Sequence, residues 1–221
     1  MSQTVVVTGA NKGIGFEFCA YYKQKGLNVI AVCRSASEAL QGLGVEVVED
    51  VDVSSDHGID RLKLAIGERS IDILINNAGI FSNQSFNDMD FEEISRQFEV
   101  NAVGPLKVTH ALDNALKRGA KVALVTSRMG SISDNTSGAY YGYRMSKAAL
   151  NAAGKSLAND LKPRGVAIAI LHPGFVQTSM VGYAGDISPA TAAERLAQRI
   201  TALTIETTGT FWHSNGDVLP W

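Results

Sequence analysis

TVVVTGANKGIG, from Thr4 to Gly15, decides how the rest of the chain is read. Three consecutive valines between threonines suit an extended strand buried on both sides. The strand runs straight into Gly9-Ala10-Asn11-Lys12-Gly13-Ile14-Gly15, where a helical pattern begins. Glycines at a strand-to-helix turn let the backbone approach a pyrophosphate closely. The helix start supplies free N–H groups and the positive end of its dipole. Gly9, Asn11, Lys12, Gly13, Ile14 and Gly15 are therefore candidate dinucleotide contacts. Taken alone, the same glycines also fit a tight turn without ligand.

Outward from this unit the pattern repeats. Short β-rich runs follow at 28–33, 45–50, 71–76, 120–127, 165–172 and 209–212, and helical stretches at 13–26, 55–69, 88–117, 140–162 and 189–203 alternate with them. Apolar Val/Ile-rich strands alternating with helices predict a parallel sheet covered on both faces. Right-handed crossovers make this an α/β doubly wound sheet of about seven strands in a single domain spanning 1–221. Two polar stretches, 127–139 and 177–188, follow the fifth and sixth strands, and long loops in compact domains tend to carry function.

Ligands of such sheets bind at the carboxyl ends of the strands. The second strand ends in Cys33-Arg34. An acidic residue there would suit the ribose hydroxyl of NAD, whereas arginine suits a 2′-phosphate. Arg34 with Lys12 therefore points to NADP(H), through charge-assisted contacts to phosphate. The third strand ends in Asp50-Val51-Asp52-Val53 and the fourth in Asn76-Asn77-Ala78-Gly79, adding Asp52, Val53, Asn77, Ala78 and Gly79 as candidates.

Composition bounds the alternatives. The 221 residues are 45% hydrophobic and 19% charged, with formal net charge −2. That excludes a basic footprint for nucleic acid or anionic membrane. No apolar run reaches the length of a membrane span, and the N-terminal residues lack a signal-peptide pattern, so a cytoplasmic location is expected. Cys19, Cys33 and the four histidines show no metal-ligand spacing. His172, ahead of Pro173-Gly174, is read as a structural histidine.

GAYYGYRMSK, residues 138–147, places Tyr143 and Lys147 four apart on one expected helix face. Tyr140 and Tyr141 have Arg144 and Met145 at that spacing. A free phenol has a pKa near 10, and a neighbouring ammonium favours the phenolate. A tyrosine tuned in this way donates a proton to a carbonyl being reduced, or accepts one in reverse.

Together TGANKGIG, Asp52-Val53, NNAG, Asn101 in FEVNAVGP, Ser127, YRMSK and HPGFVQT resemble the short-chain dehydrogenase/reductase family. RMGSISDN, YYGYRMSKAALN and the closing LPW are most similar to its C-factor-like, sniffer-type carbonyl reductase branch. The resemblance implies that Gly9, Gly13 and Gly15 form the pyrophosphate turn and that Asp52 and Val53 contact adenine. It implies Tyr143 as acid/base, Lys147 as the residue that lowers its pKa, and Asn101 as the holder of a relay water. Pro173, Gly174, Val176 and Thr178 would lie under the nicotinamide. One departure stands out. The family's serine usually lies 13 positions before the tyrosine, and here that position is Gly130. Ser127 is the first polar residue at the end of an apolar strand, which favours it over Ser131. The implied activity is NADPH-dependent carbonyl reduction, reversible to alcohol oxidation, on a small carbonyl or alcohol substrate. A dinucleotide-binding signalling protein of C-factor type is the alternative. Helices 102–117 and 140–162 resemble those that pair in family dimers and tetramers, implying a homodimer or homotetramer.

Overall fold

The computed structural model describes residues 2–221. Seven strands form one parallel sheet: β1 Thr4–Thr8, β2 Asn28–Val32, β3 Glu46–Val48, β4 Ile71–Asn76, β5 Leu116–Val125, β6 Ala167–His172 and β7 Phe211–His213. Their spatial order is β3-β2-β1-β4-β5-β6-β7. The chain builds outward from β1 to β3, then returns to start the other half at β4. The crevice at this reversal, between β1 and β4, is where an open α/β sheet takes a ligand.

The seven α-helices are α1 Gly13–Gln24, α2 Glu38–Gly42, α3 Asp56–Ile66, α4 Phe91–Phe98, α5 Gly104–Ala111, α6 Tyr141–Leu161 and α7 Pro189–Ala202. They cover both faces, and strand alternation decides which side chains they meet. Val6, Leu74, Leu124, Ile170 and Phe211 belong to the core shared with Leu62, Val108 and Leu150. Val5, Val7, Ile75, Ala123 and Leu171 pack on the other face with Phe18, Leu196 and Ile200. Period-two alternation between two dry faces explains why the strands read as continuous apolar runs.

Four of these helices start at caps written in the sequence. Ser37, Ser55, Asp90 and Ser188 each accept a hydrogen bond from a backbone N–H of the first turn. The stretch 88–117, read above as one helix, is broken. A π-turn at Glu99–Val103 separates α4 from α5. Pro105 lies just beyond it and has no N–H for the carbonyl of Asn101, four residues back. The proline that starts α5 thus leaves the Asn101 carbonyl without its regular helical donor.

Candidate active site

A cleft of about 670 Å³ lies over the carboxyl ends of the strands. Its floor is the turn after β1. Gly9 has φ 66°, and a Cβ there would meet the Ala78 Cα at 2.7 Å. The backbone N–H groups of Asn77 and Ala78 both donate to the Thr8 hydroxyl at 3.1 Å. The Asn77 amide donates to the carbonyls of Thr8 and Gly9. Gly15 acts by packing rather than by touching the cleft, since its Cβ would fall 2.2 Å from the Gly9 carbonyl oxygen. Gly13, at φ 57°, faces the Thr178 methyl. No side chain caps the first turn of α1, so its N–H groups are open to an anion. A glycine cradle at an uncapped helix start fits a pyrophosphate.

At one end of the cleft Lys12 and Arg34 are exposed wall residues. Among the described residues neither is in an ion pair. Asp52 accepts from the Ser54 hydroxyl at 2.6 Å and from its N–H at 2.9 Å. The Ser54 hydroxyl holds the Asp52 carboxyl below its ordinary value, and the positive charges of Arg34 and Arg96 add to this. Arg96 of α4 also lines the cleft, as do Ser35, Val100 and Met180. Sequence reading missed Ser35, Arg96 and Val100, because nothing local marks a helix arginine as facing a cleft; Met180, on the loop after the sixth strand, is among the apolar residues the sequence offers as pocket walls. Asn11 is mainly a brace: its side chain accepts from the Ser37 N–H, and its carbonyl accepts from the Ser37 hydroxyl.

At the other end stand Tyr143 and Lys147, one turn apart on α6. The Lys147 Nζ donates to the Val125 carbonyl at 3.0 Å and lies 5.7 Å from the Tyr143 ring centre. Burial brings its pKa down to about 8. Lysine was expected to lower the tyrosine pKa, yet the phenol is pushed up to about 12. Burial raises it, and the nearby Ser127 hydroxyl pulls the other way. An ammonium under the ring, partly neutral itself, does not offset the loss of water. Phe81 packs edge-on against Tyr143 at 5.0 Å and tilted against Tyr140 at 5.8 Å.

Ser127 lies one residue beyond the end of β5, after Thr126, is buried, and its hydroxyl accepts from the Met129 N–H at 3.1 Å. Ser131 serves the loop instead, accepting from the Asp134 N–H at 3.2 Å. Gly130 cannot carry a side chain. A Cβ there would stand 2.7 Å from the Lys147 carbonyl carbon. The loop thus lies on the α6 backbone, and the polar residue moves back to the strand end. Asn101 is fully buried behind the site; its side chain binds the Ile80 N–H at 2.8 Å, the Ile80 carbonyl at 2.9 Å and the Ser146 hydroxyl at 3.1 Å. Its amide is committed to bracing, leaving its main-chain carbonyl.

Pro173 and Thr178 line the cleft. Val176 is buried beneath and bridges to Ile187; Gly174, at φ 96°, packs near the His213 ring. Burial holds His172 down to about 3, edge-on to His213 at 4.9 Å, a neutral packing group. Cys19 and Cys33 are buried and free, with Cys19 pushed up to about 12 by burial. Among the described residues no cluster suits a metal ion and no helix is long and apolar enough to cross a membrane.

Residues 3–187 match the family model for short chain dehydrogenases. The chain belongs to that family. It is 39% identical over 224 residues to 1-hydroxy-2-glutathionyl-2-methyl-3-butene dehydrogenase of a Rhodococcus species, covering 99% of each chain. It is 44% identical over 154 residues to C-signal of Myxococcus xanthus, covering 68% of this chain and 93% of that one. Among solved structures it is similar to NADPH-bound carbonyl reductase from chicken fatty liver, with TM-score 0.90, 27% identity and coverage of 100% and 99%. The carbonyl reductase Sniffer of D. melanogaster gives TM-score 0.89 at 27% identity, covering 100% of both chains. This short-chain dehydrogenase thus shares its fold with carbonyl reductases.

Proposed function

We propose that the chain is an NADPH-dependent carbonyl reductase, reversible to alcohol oxidation, with Tyr143 as general acid. The observation that carries this is the pairing of Tyr143 and Lys147 at the end of a cleft whose floor is the glycine turn, with Ser127, itself outside the cleft lining, beside the phenol. The N-terminus of α1 would hold the pyrophosphate and Lys12 and Arg34 the 2′-phosphate. Asp52 and Val53 would flank adenine, with Pro173 to Thr178 at the nicotinamide end. When bound, the cofactor supplies the hydride.

The protein's part is position and protons. The Ser127 hydroxyl orients the substrate oxygen. Tyr143, protonated at neutral pH with its pKa near 12, donates to that oxygen as negative charge builds there. Lys147, near 8, can hold and pass on a proton close to neutrality. A relay water at Asn101 would sit on the main-chain carbonyl that Pro105 leaves free. Pairing of copies through the α5–α6 groove, where Leu106 and Leu157 are exposed or half-buried, is part of the proposal.

The relatives support both directions of the reaction: one is a dehydrogenase of a hydroxylated compound, two structures are carbonyl reductases. The likeness to C-signal favours a second reading, a cofactor-binding signalling protein. A binding module needs the glycine turn but not Ser127, Tyr143 and Lys147 together. NADPH consumption against a panel of activated ketones and aldehydes separates the two. Turnover is expected with at least one compound; tight NADPH binding with no turnover on any would favour the signalling reading.

A further inference from the structure

We infer that residues 217–221 form a strap that positions the catalytic serine, acting through Ser133. This rests on the reading of Ser127 given above. The strap is built from backbone pairing. After β7 the chain turns at Asn215–Gly216 and runs back along that strand. The His213 N–H donates to the Asp217 carbonyl and the Leu219 N–H to the Phe211 carbonyl, both at 2.8 Å. Trp212 and Val218 pair antiparallel. The Trp221 ring then stacks on buried Phe211, centres 5.4 Å apart and planes 24° apart.

That stack fixes where the main-chain oxygen of Trp221 points. It accepts twice from Ser133, from the N–H at 2.9 Å and from the hydroxyl at 2.8 Å. Ser133 is exposed and lies in the loop after Ser127. Its hydroxyl also reaches Ser131 at 3.4 Å. From Ser131 a 3-10 turn leads back: the Ser131 N–H donates to the Arg128 carbonyl and the Gly130 N–H to the Ser127 carbonyl, both at 2.9 Å. Gly130 rests on the α6 backbone beside Lys147. The serine-bearing turn is thus gripped on one side by α6 and on the other by Trp221. With only the first grip, the turn could pivot about Gly130 and carry the Ser127 hydroxyl off the Tyr143 phenol. The lining of the cofactor end of the cleft includes none of the strap.

A positioning role predicts a distinctive set of effects. Trp221→Ala and Ser133→Ala each lower kcat about three- to tenfold, the size of about one net hydrogen bond, with KM for NADPH unchanged. The double variant is no worse than the poorer single one, because both cut the same link. In alcohol oxidation, the pH limb belonging to Tyr143 moves upward, since the Ser127 hydroxyl lowers that pKa. Trp221→Phe, which keeps a stacking ring, restores wild-type kcat. Ser133→Ala, at an exposed site, carries the test should Trp221→Ala not fold. Unchanged kcat and pH limb in Ser133→Ala would overturn the strap, as would additive losses accompanied by a raised NADPH KM. Ser127→Ala in the otherwise native chain separates two failures. If it lowers turnover while the strap variants do not, the strap alone falls; if it leaves turnover intact, the reading of Ser127 falls and the strap with it.

Discussion

A phenol held near 12 is protonated at every physiological pH, so Tyr143 is ready as an acid before any substrate arrives. As a base for the reverse reaction it needs positive charge that the free protein does not bring to bear. Lys147 carries the mirror-image strain. Burial holds it near 8 against an ordinary 10.5, so between those values the unfolded chain keeps a proton that the folded chain has released. Folding stability due to this residue therefore rises with pH across that window. Lys147→Met removes the slope. Its stability advantage over wild type is largest below pH 8 and shrinks by up to about 3 kcal/mol toward pH 10.5. Urea unfolding of both proteins across this range checks it; parallel curves would contradict the assigned cause.

At the scale of elements, the loop after β5 is held against the α6 backbone. Gly130 has no room for a side chain against α6. Gly130→Ser should not create a second catalytic hydroxyl. It should cost about 1–3 kcal/mol by overpacking and lower Tm by about 2–10 °C, read by thermal unfolding. Ser127→Ala should reduce kcat far more than Ser131→Ala, whose hydroxyl is occupied within the loop; a larger loss from Ser131→Ala would misplace the strand end. The strands and five of the helices were legible because two dry faces force apolar runs, and because serine, aspartate and glycine mark the turns between them. The break at Glu99–Val103 was not, since its cause is a proline within a pattern that otherwise reads as helix. Tyr143, Lys147 and the glycine turn were legible from spacing. Arg96 and the contact of Trp221 with Ser133 were not, because they depend on which elements meet in space.

For the whole molecule, the two ends of one cleft make separate demands. On the proposed reading Lys12 and Arg34 set which dinucleotide binds, and α6 and the β5 loop set what happens to the substrate. The first end predicts a preference for NADPH over NADH of about 10²–10³ in kcat/KM, from two partly exposed charge-assisted contacts. Arg34→Ala should narrow that ratio more than Lys12→Ala, since a guanidinium grips phosphate in two places. Cys33→Asp with Arg34→Ala should move the preference toward NADH, and added salt should weaken the wild-type preference. An Arg34→Ala enzyme with an unchanged cofactor ratio would contradict this account of the second strand end. The central claim is that Tyr143 delivers the proton. Its most direct test is single-turnover oxidation of prebound NADPH by an activated ketone in wild type and Tyr143→Phe, with Tyr140→Phe and Tyr141→Phe alongside. The account predicts a rate about 10²–10⁴ lower in Tyr143→Phe alone, with NADPH affinity nearly unchanged; a Tyr143→Phe rate equal to wild type would contradict it.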